Sequence, residues 1–398
     1  MSTADAQQFF VVPLSIQKEG DVYVVGSTEL GEFYQFPEQG LRILDMLKTG
    51  NTPVAIKDRL SAESGEMVDV DGFVDQLASI GFIQSEDLRR DRGQQLSAAI
   101  PDPRRTFDVD PRIARAIFSW PVLLCYAAIV AYAIHGAITQ PALRLNPAAF
   151  YIETCRTPLL LILLCLSSVQ VVLHELGHML AAARHGIKSK YGLGNRLWNI
   201  VAESDITGIL TLPKSKRYFP MMAGVLVDIF TISATTILIQ YLLQHKASPF
   251  VIQVCQAVVL ENVIAIAWQF NIFVKTDVYY IICNYLSYPD LDKDAQDYLR
   301  DILHRITLGR FGARANYAGF RHLPVIIGFS MIWLFGRVLS LAVLFCVFLP
   351  TTGHYITSTI HLINTPNASL WVACDTIIYV TIVLTMMGIG MYMWLTQR

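Results

Sequence analysis

The feature that most constrains this chain is a series of six apolar runs, at 117–138, 158–183, 219–243, 250–273, 324–349 and 370–394. A helix needs roughly 20 apolar residues to cross a hydrocarbon core of about 30 Å, and each run is that long. Inside lipid the backbone N–H and C=O groups must be satisfied within the segment, which makes helices of such runs. The chain therefore reads as a mainly α polytopic membrane protein with about six transmembrane helices, behind a small α+β domain. Composition agrees: 53% of the 398 residues are hydrophobic and only 16% charged, against about a quarter in soluble domains. A net charge of −1 supplies no field that would gather nucleic acid. The seven cysteines are scattered, odd in number and without a CxxC pair, so they read as small apolar residues and not as a disulfide framework. The opening MSTADAQQFF lacks a basic segment followed by an apolar one, so no cleavable signal is expected.

Lysine and arginine in the connections orient the bundle, because cytoplasmic loops hold an excess of them. Seven precede the first run, from Arg89 to Arg115; seven lie between the second and third, from Arg184 to Arg217; seven lie between the fourth and fifth, from Lys275 to Arg321. The alternate connections hold Arg144 and Arg156, then Lys246, then none. Both termini are thus expected in the cytoplasm, with the chain in a bacterial-type inner membrane. Three parts follow: a soluble head at 1–84, an arginine-dotted cytoplasmic linker at 85–116, and a membrane domain at 117–398. The stretch 291–308 spaces Leu291, Ala295, Leu299, Ile302, Leu303 and Ile306 as one helix face, to lie on the membrane surface or against the head.

The second run contains His174-Glu175-Leu176-Gly177-His178. Residues four apart share a helix face, so both imidazoles can reach one metal ion while Glu175 stands beside its open position. Zinc (Zn2+) there would lower the pKa of a water toward neutrality, and the glutamate would accept its proton as general base. Ionisable groups inside an apolar helix are costly and persist where they bind an ion, pair or line a cavity. A polar cluster that only joins helices is the alternative. Two histidines leave zinc short of a protein ligand. The fourth run ends on the same side as the histidines, at NIFVKTDVYY, and so brings Asp277 to their depth. Asp228 in the third run is the rival ligand, and Glu261, midway along the fourth, is a further candidate. Arg337, near the middle of the fifth run, needs a carboxylate partner, for which Asp228 and Glu261 are available; a role near the substrate is the alternative. Asp375, near the outer end of the sixth run, can reach the interface and needs no special role.

HELGH followed by Ala183-Arg184-His185-Gly186-Ile187 resembles the first motif of the site-2 protease family, the intramembrane zinc metalloproteases. Asn271 and Asp277 resemble its second motif, an Asn-Pro element leading to an Asp-Gly on a later span. Asp277-Val278-Tyr279-Tyr280 is similar to the Asp-Gly-Tyr-Tyr of the family's peptide zinc metalloprotease branch. Ile272 stands where the family has proline, and Val278 where it has glycine. The resemblance covers roughly 158–290. It implies that His174, His178 and Asp277 hold zinc and that Glu175 is the catalytic base, with Asn271 helping the oxyanion. Arg196–Ala202 and Ile206–Leu212 read as two β runs joined by Glu203-Ser204-Asp205. Site-2 proteases resemble this in placing strands after the HExxH helix, where an extended substrate can add as another strand.

In the head, Phe9–Ile16, Asp21–Gly26 and Gly31–Phe36 alternate as three short strands, with Glu19-Gly20 as a turn. Leu41, Leu44 and Leu47 mark a first helix, Thr52-Pro53 opens a second with Ile56 and Leu60 inward, and Val70–Ile80 forms a third closed by Gly81. This winged-helix-like pattern, over Leu44–Ile83, resembles the PqqD-like domains that recognise leader peptides for enzymes maturing ribosomally made peptides. In that family the leader pairs with the third strand beside the third helix, which implies Gly31, Glu32, Phe33 and Tyr34 as the peptide-binding edge. Winged helices also bind DNA, but here the few basic residues sit among many acids, so no nucleic acid is expected. A head that only stabilises or dimerises the enzyme is the plain alternative.

These readings converge on an intramembrane zinc endopeptidase that cleaves a ribosomally synthesised, bacteriocin-like precursor or a membrane-associated peptide. Its partners would be a substrate with a leader segment, membrane lipid and export machinery. Regulated cleavage of a membrane signalling protein, and a non-proteolytic export or immunity protein, are the alternatives.

Overall fold

A computed structural model describes residues 9–19, 22–27, 32–65, 68–85, 105–150, 155–196, 199–288, 291–312, 323–343 and 370–396, with isolated positions between 345 and 360. By contact the chain divides into two units. One is Met1–Ala114 with Met179–Gly192 and Ser204–Pro220; the other is Arg115–His178 with Leu193–Glu203 and Met221–Arg398.

In the first unit, β2 (Ser15–Glu19), β3 (Val22–Ser27) and β4 (Glu32–Pro37) form an antiparallel meander in the order β2-β3-β4. The register sets Val25 opposite both Ile16 and Tyr34. The stretch expected as one strand, Phe9–Ile16, is two. Pro13 has no N–H to give a ladder, so the chain breaks there. The part before it, β1 (Phe9–Val11), pairs instead with β5 (Ile83–Ser85), a strand the sequence pattern does not announce. The expected Glu19-Gly20 turn and most of the linker, 86–104, lie at least partly outside the described residues.

Three helices back the meander: α1 (Glu38–Lys48), α2 (Pro53–Ser64) and α3 (Val70–Ser79). Thr52 and Asp69 accept from the amides of Ala55 and Gly72, which satisfies N-terminal donors of α2 and α3. Gly65 ends α2 in the left-handed region at φ 70°, where a side chain would be strained. Leu44, Leu47, Ile56, Leu60, Leu77 and Phe82 are at most 2% exposed, and burying each contributes roughly 1.5–3 kcal/mol.

A second sheet runs β6 (Arg105–Phe107), β7 (Ser189–Arg196), β8 (Asn199–Asp205), in that order. The linker strand β6 lies antiparallel on β7, with Thr106 opposite Lys190, and Lys188 pairs with Asp108 at 2.8 Å. The hairpin therefore stands about seven residues earlier than its expected position. Gly192 and Gly194 interrupt the alternation of β7 and conceal it. The expected second strand is a 3-10 turn, Thr207–Thr211, because the Asp205 carboxylate accepts from Thr207 N at 3.0 Å and folds the chain locally. The meander packs on that turn. Arg217 ties the two together: it donates to Leu210 O and Leu212 O at 2.8 Å and forms a buried ion pair with Glu19.

The remaining helices are α4 (Pro111–Ile117), α5 (Trp120–Thr139), α6 (Arg156–Ala183), α7 (Lys214–Gln244), α8 (Pro249–Trp268), α9 (Asp277–Leu286), α10 (Leu291–Ile306), α11 (Leu323–Val343) and α12 (Leu370–Thr396). Among the described residues, four stretches are long and apolar enough to cross a membrane: Pro111–Thr139, α6, α7 and α8. Shorter apolar stretches, Leu323–Leu339 and Leu370–Met386, lie in α11 and α12. Helix α10 matches the expected 291–308 stretch, yet its face divides. Leu291 and Ala295 bury against α9 and α11, while Leu303 and Ile306 remain exposed.

Candidate metal centre

Helix α6 carries the histidines, and both of its halves are held by contacts distant in sequence. At its start, the amides of Arg156 and Thr157 donate to the Asp375 carboxylate of α12 at 2.8 and 3.0 Å. First-turn amides have no partner inside their own helix, so a carboxylate from another helix acts as the cap. Asp375, expected to reach the interface without a role, is buried in this one instead. Further along, Gly177 lets α7 approach closely. A Cβ there would stand 2.8 Å from Val227 Cγ2 and 2.9 Å from Ala223 O.

One turn apart on this helix, His174 and His178 are 8% and 3% exposed, with their Nε2 atoms 3.2 Å apart. Asp277 Oδ2 lies 3.0 Å from the first Nε2 and 3.2 Å from the second. Its position follows from the chain after α8. Ile272–Val274 forms a 3-10 turn, Lys275 takes φ 58°, and Thr276 Oγ1 donates to Gln269 O. The Asp277 amide, first of α9, donates to Gln269 Oε1 at 3.2 Å. Gln269 thus fixes the turn that presents the carboxylate.

Three ligand atoms of the kinds that bind zinc therefore converge in one place. Ligands at about 2.0–2.1 Å from a tetrahedral ion stand about 3.3 Å from one another, close to the 3.0–3.2 Å found. Space for the ion comes from α7. A Cβ built on Gly224 would fall within 2.5 Å of both Nε2 atoms, where a metal would sit. The residues present fit a divalent metal, though not zinc alone.

Asp228, the rival ligand, stands on the other side of the His174 ring. Its Oδ2 is 2.8 Å from Nδ1, and its Oδ1 accepts from Gln170 Nε2 at 2.8 Å. Glu175 is half-buried next to His174. Asn271 immediately precedes the 3-10 turn, and its side chain does not cap it. Glu261 bonds to Ser167. Arg337 lies over the rings of Trp333 and Phe273, at 4.8 and 5.9 Å from their centroids. His185, past the end of α6, is no part of the cluster; burial and the cations Arg184 and Lys216 hold it below the usual imidazole value.

In the head, Gly31 lies outside the described residues. Glu32, Phe33 and Tyr34 are on β4, an edge strand, paired on one side with Ser27, Gly26 and Val25. Tyr34 is exposed and meets Phe82 edge-on at 5.7 Å. Sequence reasoning missed Gly224, Gln170, Gln269 and the capping role of Asp375, none of which carries a local pattern. No family model matches the chain, and no curated protein or solved structure matches it either.

Proposed function

We propose that this chain is an intramembrane zinc endopeptidase. The observation that carries the reading is the convergence of His174, His178 and Asp277 on one point of an apolar helix, with Glu175 beside it and Gly224 leaving room. The reading takes α11 and α12 as further spans, six in all, with both termini in the cytoplasm, as the lysine and arginine distribution supports.

Zinc, when bound to His174, His178 and Asp277, would supply a Lewis acid and a water of lowered pKa. Glu175 takes the proton from the attacking water and passes it to the leaving amine as the peptide bond breaks. Asn271 offers an amide N–H to the developing oxyanion. Surrounding apolar helices limit water, which strengthens each of these interactions. The substrate is a ribosomally synthesised precursor or membrane-associated peptide, presented extended because a helix hides its carbonyls in hydrogen bonds. As the edge strand of its sheet, β4 suits recruitment of the leader segment by strand addition.

The test compares the parent with Glu175→Gln in membranes. Both should retain zinc, and only the parent should create new peptide N-termini, mapped by mass spectrometry. Identical sets of termini would mean that the chain is not a protease, which leaves the export or immunity role. New termini confined to a membrane signalling protein would move the substrate from precursors to regulated proteolysis.

A further inference from the structure

The two ring nitrogens of His174 have different neighbours. Nε2 faces His178 and Asp277, while Nδ1 faces Asp228 at 2.8 Å. Asp228 is 3% exposed, so its partners matter. Behind it, Gln170 Nε2 donates to Oδ1 at 2.8 Å, and Thr231 Oγ1 donates to Gln170 Oε1 at 2.9 Å. Gln170 and His174 are one turn apart on α6, and Asp228 and Thr231 one turn apart on α7. The bonds cross between the two helices in a zigzag.

Directions in this series are forced. The Gln170 oxygen accepts from the threonine hydroxyl, so its NH2 group must face Asp228. Asp228 has only acceptors to offer when ionised, so His174 must carry its proton on Nδ1. The Nε2 lone pair is then free and points at the cluster. Charge counts the same way. A divalent ion held by two neutral imidazoles and Asp277 leaves a net positive charge among apolar helices, which is costly. A second buried carboxylate one ring away offsets it.

We propose that Asp228 is a positioning residue, which with Gln170 and Thr231 locks His174 in its metal-binding tautomer and balances the charge of the ion. This rests on the metal-centre reading above. Carboxylates behind metal-bound histidines raise ligand basicity, and their loss costs about 10–100-fold in metal affinity.

The experiment uses the full chain in detergent, with zinc affinity measured by chelator competition and cobalt substitution followed by visible absorption. Asp228→Asn preserves shape but removes the negative charge, and its amide either faces His174 donor against donor or makes Gln170 turn over and give up its bond from Thr231. It should weaken zinc binding about 10–100-fold and alter the cobalt spectrum, while the metal-free protein melts as the parent does. Thr231→Val, which frees only the far end, should cost several-fold. Unchanged affinity and spectrum in Asp228→Asn would overturn the proposal, as would a loss that merely follows a lowered melting point of the metal-free protein. If Asp228→Asn does not fold, Thr231→Val decides: parental affinity overturns the proposal and a several-fold loss supports it. A parent that takes up no metal refutes the metal centre itself, a result that no Asp228 variant can mimic.

Discussion

Gly224 contributes by what it lacks. A methyl group there would stand within 2.5 Å of both Nε2 atoms, in the volume that a zinc ion at about 2.0–2.1 Å would need. Gly224→Ala should therefore abolish zinc uptake, and because the methyl group must also push two buried imidazoles aside, the helix preference of alanine, about 1 kcal/mol, should not appear as added stability. Metal content and thermal melting read the two effects separately, and a folded variant with full zinc content would refute the placement of the ion. Asp277→Asn should lose zinc more completely than Asp228→Asn; the reverse order would exchange ligand and support. The histidine pair was legible because four-residue spacing is a local property of a helix. Asp277 is 99 residues from His178, and the sequence offered it only through the depth at which the fourth run ends, beside Asp228, and through likeness to a family motif. A glycine that works as empty space is recognised only when its neighbours are known.

At the level of elements, hydropathy located the long helices to within a few residues, because their pattern is dictated by the surroundings they enter. Strands were harder to read. Pro13 divides one expected strand, and glycines in β7 hide another. The ion pair of Glu19 with Arg217 could not be foreseen either, since it joins the end of β2 to the first turns of α7. Its side chains are 7% and 3% exposed. Glu19→Ala would take the carboxylate away from a buried guanidinium, at a cost of about 3–5 kcal/mol. Thermal unfolding should shift down accordingly, and protease should cut more readily within 204–220. A parental melting point would show that the pair contributes nothing net.

The lysines and arginines fall in alternate connections of the chain, and the six spans proposed above require both ends on one face. Tags at the two termini should both be shielded in intact cells; tags on opposite faces would require an odd number of spans. Metal should also support the folded state, because a ligand that binds only the native form stabilises it by mass action, about 2.7 kcal/mol at a hundredfold excess over Kd. Chelation should lower the melting point, and zinc should restore it; no shift in either direction would argue against the centre.

The cap on α6 also sets an order of manufacture. The amides of Arg156 and Thr157 rest on a carboxylate 219 and 218 residues further along the chain. At roughly 5–20 residues per second, the ribosome reaches Asp375 some 10–40 s after it has made the helix that bears the histidines. The youngest segment thus completes the oldest part of the centre. A chain abandoned midway would carry the histidines but lack the cap on the helix that bears them.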